Sequence, residues 1–252
     1  MPTALIAALT AAVATIASLV LAAGPAASAA REYVARLAAS TDSAPAPQVR
    51  RPWLLERRFQ AVIALVLTVP VLWRGVDRAL ADTLVALPLV AVLGVACCVD
   101  AVSHRLPNRL LGWAALWLIA ATGLRLGAEM LSSALGGTET FGAAGALGAL
   151  WPVVWPVGRA ALAALGIGIV MVVMALLPSG LGFGDVKLSA LCALWLGQLS
   201  AEAPIMGIIL GFFTGGLAAL VLMALHRADR KTAIAFGPYL GAGAWLTWLL
   251  VV

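Results

Sequence analysis

Two aspartates stand out among the residues able to do chemistry. Asp100 closes an apolar run in VACCVDAVSHRLPNRL, and Asp185 lies in LPSGLGFGDVKLSA, where one apolar run gives way to the next. They are 85 residues apart in the chain, yet each sits in a turn-forming context at the border of a hydrophobic stretch. An ionisable group beside hydrocarbon is costly and commonly marks function. Taken singly, either carboxylate reads equally well as a helix cap or an interfacial residue. As a pair they have a chemical use. Two carboxyl groups brought close cannot both ionise cheaply, so they share a proton and titrate in separated steps. The ionised member can then take a proton from water while the neutral one polarises a peptide carbonyl. That is amide hydrolysis of the aspartic-protease kind. It requires water, which the membrane edge supplies better than the midplane. Gly180, Gly182 and Gly184 remove side chains just ahead of Asp185, letting the backbone bend or an extended substrate lie close.

The other reactive side chains read differently. Cys97, Cys98 and Cys192 form no CxxC pair and have no His at ligand spacing, so they read as small packing residues, with no metal and no cofactor expected. His104 and Arg105 fall in a loop and read as solvated or lipid-contacting. Lys187, two residues from Asp185, points to roughly the other side of a helix and either snorkels to the interface or tunes the aspartates. Pro107-Asn108 ends a loop and starts the next helix, which positions Asp100. Phe236-Gly237-Pro238 interrupts the last apolar run and by itself is an ordinary proline kink.

The elements that must carry these residues are membrane helices. Of 252 residues, 63% are hydrophobic and 11% charged, and the mean hydropathy is +1.05; soluble domains carry about 25% charged residues. A soluble enzyme, a disordered tail and a nucleic-acid-binding domain are excluded, and the net charge of +5 fits cytoplasmic loops facing an anionic leaflet. The expected fold is all-α: a polytopic transmembrane helix bundle of about eight spans, amino terminus outside. Apolar runs fall at 4–30, 59–73, 79–99, 110–124, 160–178, 186–200, 204–225 and 233–252. The piece 141–158, broken by Pro152 and Pro156 and carrying Trp151 and Trp155 at what would be headgroup level, suits a partial or re-entrant segment. The first run ends in AASAA, like a signal-peptidase site, but no Lys or Arg precedes it and it is long for a leader, so a retained span is expected. With eight spans, the loops 31–58, 100–109, 179–187 and 226–232 hold 12 of the 16 Lys and Arg, leaving Arg74, Arg78, Arg125 and Arg159 outside. This fits positive-inside loops and puts both aspartates at the cytoplasmic edge. Residues 1–78 form an amino-terminal membrane part whose basic cytoplasmic loop, 31–58, has a linker-like STDSAPAPQ at its centre. Residues 79–252 form the second domain.

Three motifs occur in order. They are Asp100 followed seven residues later by Pro107-Asn108, Gly182-Phe183-Gly184-Asp185 continuing into Val186-Lys187-Leu188, and Phe236-Gly237-Pro238 near the last helix. Together they resemble the type IV prepilin peptidases, GxGD-type integral-membrane aspartic peptidases, over roughly residues 80–252. The resemblance implies that Asp100 and Asp185 are the catalytic dyad of a hydrolase that needs no metal or cofactor. Gly182, Gly184, Lys187, Pro107, Asn108, Phe236, Gly237 and Pro238 would support the site. It implies a bacterial cell membrane location, an active site at the cytoplasmic face, and prepilins or pseudopilins of type IV pili or protein secretion as partners. It further implies cleavage of their leader just after a glycine, with the substrate's apolar helix packed among the enzyme's spans. Many members also methylate the new amino terminus through a loop with paired CxxC motifs; loop 31–58 has no cysteine, which points to a peptidase without N-methyltransferase activity.

Other readings stand beside this one. A presenilin-like protease shares GxGD but pairs it with Tyr-Asp and Pro-Ala-Leu motifs, whereas Val99 precedes Asp100 here. A proton-coupled transporter could use the same Asp pair, although such sites lie near the midplane and often in repeated halves. A non-catalytic scaffold for pilus or secretion assembly is the third.

Overall fold

The computed structural model describes residues 2–39, 52–135, 143–177, 181–226 and 234–252. Every regular element among them is helical. α1 (Pro2–Leu21) passes through a π-helical turn (Ala22–Ala26, containing Pro25) into α2 (Ala27–Ala39), and a 3₁₀ turn at Pro52–Leu55 leads to α3 (Arg57–Gly75). α4 (Leu80–Ser103), α5 (Asn108–Leu135), α6 (Ala143–Leu176), α7 (Phe183–Leu196), α8 (Ala203–Ala224) and α9 (Gly237–Val251) follow.

The chain is a multi-pass helical bundle. Among the described residues, six helical stretches are long and apolar enough to cross a membrane: Leu5–Ala39, Arg57–Gly75, Leu80–Ser103, Asn108–Ser132, Val154–Leu176 and Ala203–Ala224. The apolar runs expected at 186–200 and 233–252 are helical too, as α7 and α9, but with 14 and 15 residues. At about 1.5 Å per residue they reach about 22 Å, short of the roughly 30 Å of hydrocarbon. The 186–200 run gives 197–200 to the turn after α7, and the 233–252 run gives 234–236 to the turn before α9; the starts of both helices border the candidate site.

α4 is the hub. It is hydrophobic nearly all round, and such a helix is stable only when enclosed; 78% of its apolar window is buried, against 11–28% for the other five spans. It packs on α1, α3, α5 and α9, while α7 packs on α5, α6, α8 and α9. α5 and α9 therefore bridge the helices that carry Asp100 and Asp185. α9 is seated most closely on α8, where Gly207, Gly211 and Gly215 line up at four-residue spacing. A Cβ at Gly243 would lie 2.4 Å from both Gly207 O and Gly211 N, so the two backbones touch.

Several boundaries differ from the sequence expectation. The polar loop expected over 31–58 begins as helix, because α2 runs on to Ala39 with Ala27, Ala30 and Val34 buried and Glu32 paired with Arg36 one turn on. The STDSAPAPQ stretch lies outside the described residues. The re-entrant segment expected at 141–158 is corrected: from Ala143 it is the first half of α6, continuous to Leu176 through Pro152 and Pro156. Each proline removes one helix N–H, which a membrane helix tolerates without breaking. α5 extends eleven residues past the apolar run because Arg125 is neutralised by Asp82 at 2.7 Å, between α5 and the first turn of α4.

The bundle has two distinct ends. At one end Asp82 meets Arg125, Arg159 donates to the Gly197 and Gln198 carbonyls at 2.8 and 3.0 Å, and Arg78 donates to Val252 O. The carboxy terminus of α4 and the amino termini of α5, α7 and α9 lie at the other.

Candidate active site

Asp100 occupies the last turn of α4. The helix stops three residues later because His104 takes the left-handed conformation, φ 51°, with its N–H donating to Asp100 O at 2.7 Å. Ser103 Oγ donates back to Val99 O at 2.8 Å, and the chain re-enters helix at Pro107, whose carbonyl accepts from Leu110 N at 3.1 Å. The Asp100 side chain is buried, and its Oδ2 accepts the N–H of Gly237, the first residue of α9, at 3.0 Å. Only glycine fits there: a Cβ on residue 237 would stand 2.7 Å from Asp100 Oδ2. Pro238 follows at a helix start, where its missing N–H costs no helical bond. Phe236 anchors the turn on α8 by packing against Phe212, ring centroids 5.0 Å apart.

Asp185 is the third residue of α7. Its Oδ2 reaches back to accept the N–H of Gly182, the N-cap, at 3.1 Å, satisfying a donor that a helix start leaves without a partner. The positive end of the helix dipole favours a carboxylate at this position. Burial nonetheless pushes the Asp185 carboxyl above the ordinary carboxylate range, and the Gly182 amide pulls back part of that rise. Gly184 faces the 104–107 turn so closely that a Cβ would meet Leu106 Cβ at 3.1 Å. On the outside, Lys187 Nζ donates to Asn108 Oδ1 at 3.0 Å, tying α7 to the start of α5.

Both aspartates line one cavity of about 280 Å³, open at the bundle end and completed by Tyr33, His104, Arg105, Leu106, Asn108 and Phe183 among others. Two aspartates, a tyrosine, a histidine and an arginine therefore border one small space. Burial would leave two like charges poorly solvated there, the condition under which a carboxyl pair retains a proton. Among the described residues no three His, Cys, Asp or Glu side chains gather as metal ligands would.

The residues singled out from the sequence fall into three places. Asp100, Asp185, Gly182, Gly184 and Asn108 surround the cavity; Gly237 touches it through Asp100, with Phe236 and Pro238 fixing its turn; Lys187 sits outside, bonded to Asn108. Gly180 lies outside the described residues. Sequence reasoning left His104 and Arg105 to solvent; they are exposed, and they also line the cavity. Their place after Asp100 in the turn that ends α4 was the available signal. Tyr33 comes from α2, and nothing in its local sequence distinguishes it.

Two curated relatives are similar to part of the chain: the Prepilin leader peptidase/N-methyltransferase of Pseudomonas aeruginosa and that of Stutzerimonas stutzeri. Each is 33% identical over 70 residues. The match covers 28% of this chain and only 23% of either relative's length. No protein-family model and no solved structure matches the chain.

Proposed function

We propose that this protein is a membrane-embedded aspartic endopeptidase that removes the leader of type IV prepilins or pilin-like secretion proteins at the cytoplasmic face of the bacterial cell membrane. The observation that carries the reading is the shared cavity: Asp100 and Asp185, from different helices, face one small polar space and are each held by a glycine amide. The partial similarity to prepilin leader peptidases supports the substrate class. Residues 79–252 would be the catalytic domain, with residues 1–78 contributing Tyr33 to the cavity rim. With no cysteine in 31–58, the methyltransferase half of the relatives' name is not carried over.

In this reading water sits between the two carboxyl groups. The ionised one accepts a proton as the water oxygen attacks the scissile carbonyl carbon, and the neutral one gives its proton to the carbonyl oxygen. The carboxyl that took the proton from water then gives it to the departing nitrogen as the C–N bond breaks, while the other takes back a hydroxyl proton from the collapsing intermediate. One neutral and one ionised aspartate are thereby restored, without a metal or an organic cofactor.

The test is a cleavage assay in membranes, co-expressing a prepilin with the wild-type chain, Asp100→Asn or Asp185→Asn. Asn keeps the shape and removes the ionisable group. Cleavage by the wild type and by neither variant, at equal protein levels, is the expected outcome. Wild-type turnover by either Asn variant would show that carboxyl to be structural. No cleavage by the wild type would favour a transporter or scaffold use of the same pair.

A further inference from the structure

We infer that Cys97 is a positioning residue for Asp100, acting through the backbone of Gly237; the inference rests on the reading of Asp100 as a catalytic carboxyl. Cys97 and Asp100 are three residues apart on α4 and so share a helix face. Both reach the same glycine of α9. The Gly237 N–H donates to Asp100 Oδ2 at 3.0 Å, and the Gly237 carbonyl accepts from Cys97 Sγ at 3.5 Å. α4 thus holds this glycine by both of its backbone polar groups. The sulfur also lies against Gly241, one turn further along α9, where a Cβ would stand 2.8 Å from it. Cys97 therefore sits between the Gly237 carbonyl and Gly241.

The geometry explains why the thiol matters to a carboxylate it does not touch. Packing on α8 holds the body of α9, and the orientation of the Gly237 peptide groups at its start is set by what they bond to on α4. The Cys97 contact is a second bond to the same glycine, which fixes the direction of the Gly237 N–H and so the rotation of the Asp100 carboxyl. A thiol is a weak donor, so its loss should loosen the carboxyl without unfolding the bundle. Cys98 is the natural comparison. It is one position on, about 100° around the helix, and lies beside Gln60 of α3.

The experiment uses the full-length protein in membranes, with infrared spectroscopy and prepilin cleavage read on the same samples. The Asp100 carboxyl band is identified by its disappearance in Asp100→Asn. It should move in Cys97→Ala, return toward the wild-type position in Cys97→Ser, and stay in place in Cys98→Ala. In the cleavage assay Cys97→Ala should lower kcat about three- to tenfold at unchanged KM, with Cys97→Ser recovering most of it. A Cys97→Ala protein whose Asp100 band does not move overturns the proposal, as does one whose kcat equals that of the wild type. If the wild type cleaves no prepilin, the peptidase reading fails, and the infrared band alone still decides whether Cys97 positions Asp100.

Discussion

Substituting Gly237 by alanine puts the smallest side chain at the tightest point of the site. The new methyl would lie 2.7 Å from Asp100 Oδ2 and 3.2 Å from its Cγ, well inside contact distance, so one partner must give way. α9 cannot retreat easily, because Gly243 holds it against the α8 backbone. The Asp100 carboxyl must therefore rotate and give up the 3.0 Å bond from the Gly237 amide. A hydrogen bond to a charged group contributes about 1.5–3 kcal/mol. If that stabilisation is lost from the reactive arrangement, kcat should fall by about 10- to 150-fold, at roughly 1.4 kcal/mol per factor of ten. KM should change little, since the substrate does not bind through this bond. The assay is prepilin cleavage in membranes with the rate normalised to folded enzyme. Gly216→Ala serves as the control: a Cβ there meets nothing within 4 Å, and a helical Gly→Ala change at an open position stabilises by about 0.4–1 kcal/mol. Gly237→Ala turning over within about threefold of wild type, a difference under 1 kcal/mol, would refute the claim that this amide sets the carboxyl.

Three further substitutions separate the site from its scaffold. Gly243→Ala drives a methyl to 2.4 Å from two backbone atoms of α8; overpacking of this kind costs about 1–3 kcal/mol or more, so the protein should lose thermal stability in detergent and accumulate poorly in membranes. Arg125→Ala leaves Asp82 without its partner at the far end of the bundle. Because both side chains are about one-third exposed, the loss should be no more than about 1 kcal/mol, with cleavage per folded molecule unchanged. Lys187→Met removes the bond to Asn108 on the outer surface of α5 and α7. A shift of about 0.5–1 kcal/mol in stability with kcat held within about twofold is expected, whereas a tenfold fall in kcat would mean that the ammonium acts on the aspartates.

The helices were legible from hydropathy, and their ends were not. Counting apolar residues stops at Arg125 and Arg31, yet the helix continues through each. Asp82 neutralises Arg125, and Arg31 bonds to the Leu55 carbonyl in the 3₁₀ turn before α3. These partners lie 43 and 24 residues away, beyond any local window. The same blindness led Pro152 and Pro156 to read as a break, although a membrane helix tolerates a missing N–H better than an exposed loop. For the site, Asp100 and Asp185 could be named because unpaired carboxylates at the border of hydrocarbon are rare. Their approach to a single cavity could not be read, because it depends on α5 and α9 each touching both α4 and α7. Tyr33 joins that cavity for a similar reason: α2 continues past the apolar run and carries it there.

The two aspartates are held by the same kind of group in unequal ways. Asp185 takes the amide of Gly182, three residues before it, so its hydrogen bond forms with the first turn of α7. Asp100 takes the amide of Gly237, 137 residues later in the chain, so its bond exists only when α9 has docked. A main-chain donor suits both positions. It adds no side chain to crowd the cavity, carries no charge that would pin the proton on one carboxyl, and at a helix start has no helical partner to leave. At residue 237 the glycine follows from this arrangement, since a Cβ there would stand 2.7 Å from Asp100 Oδ2, whereas at Gly182 a Cβ would keep an ordinary 3.8 Å from Asp185 Oδ2. The tight glycine seam between α8 and α9 then acquires a reason beyond stability. It fixes the level at which α9 begins, and therefore whether the Gly237 amide meets Asp100.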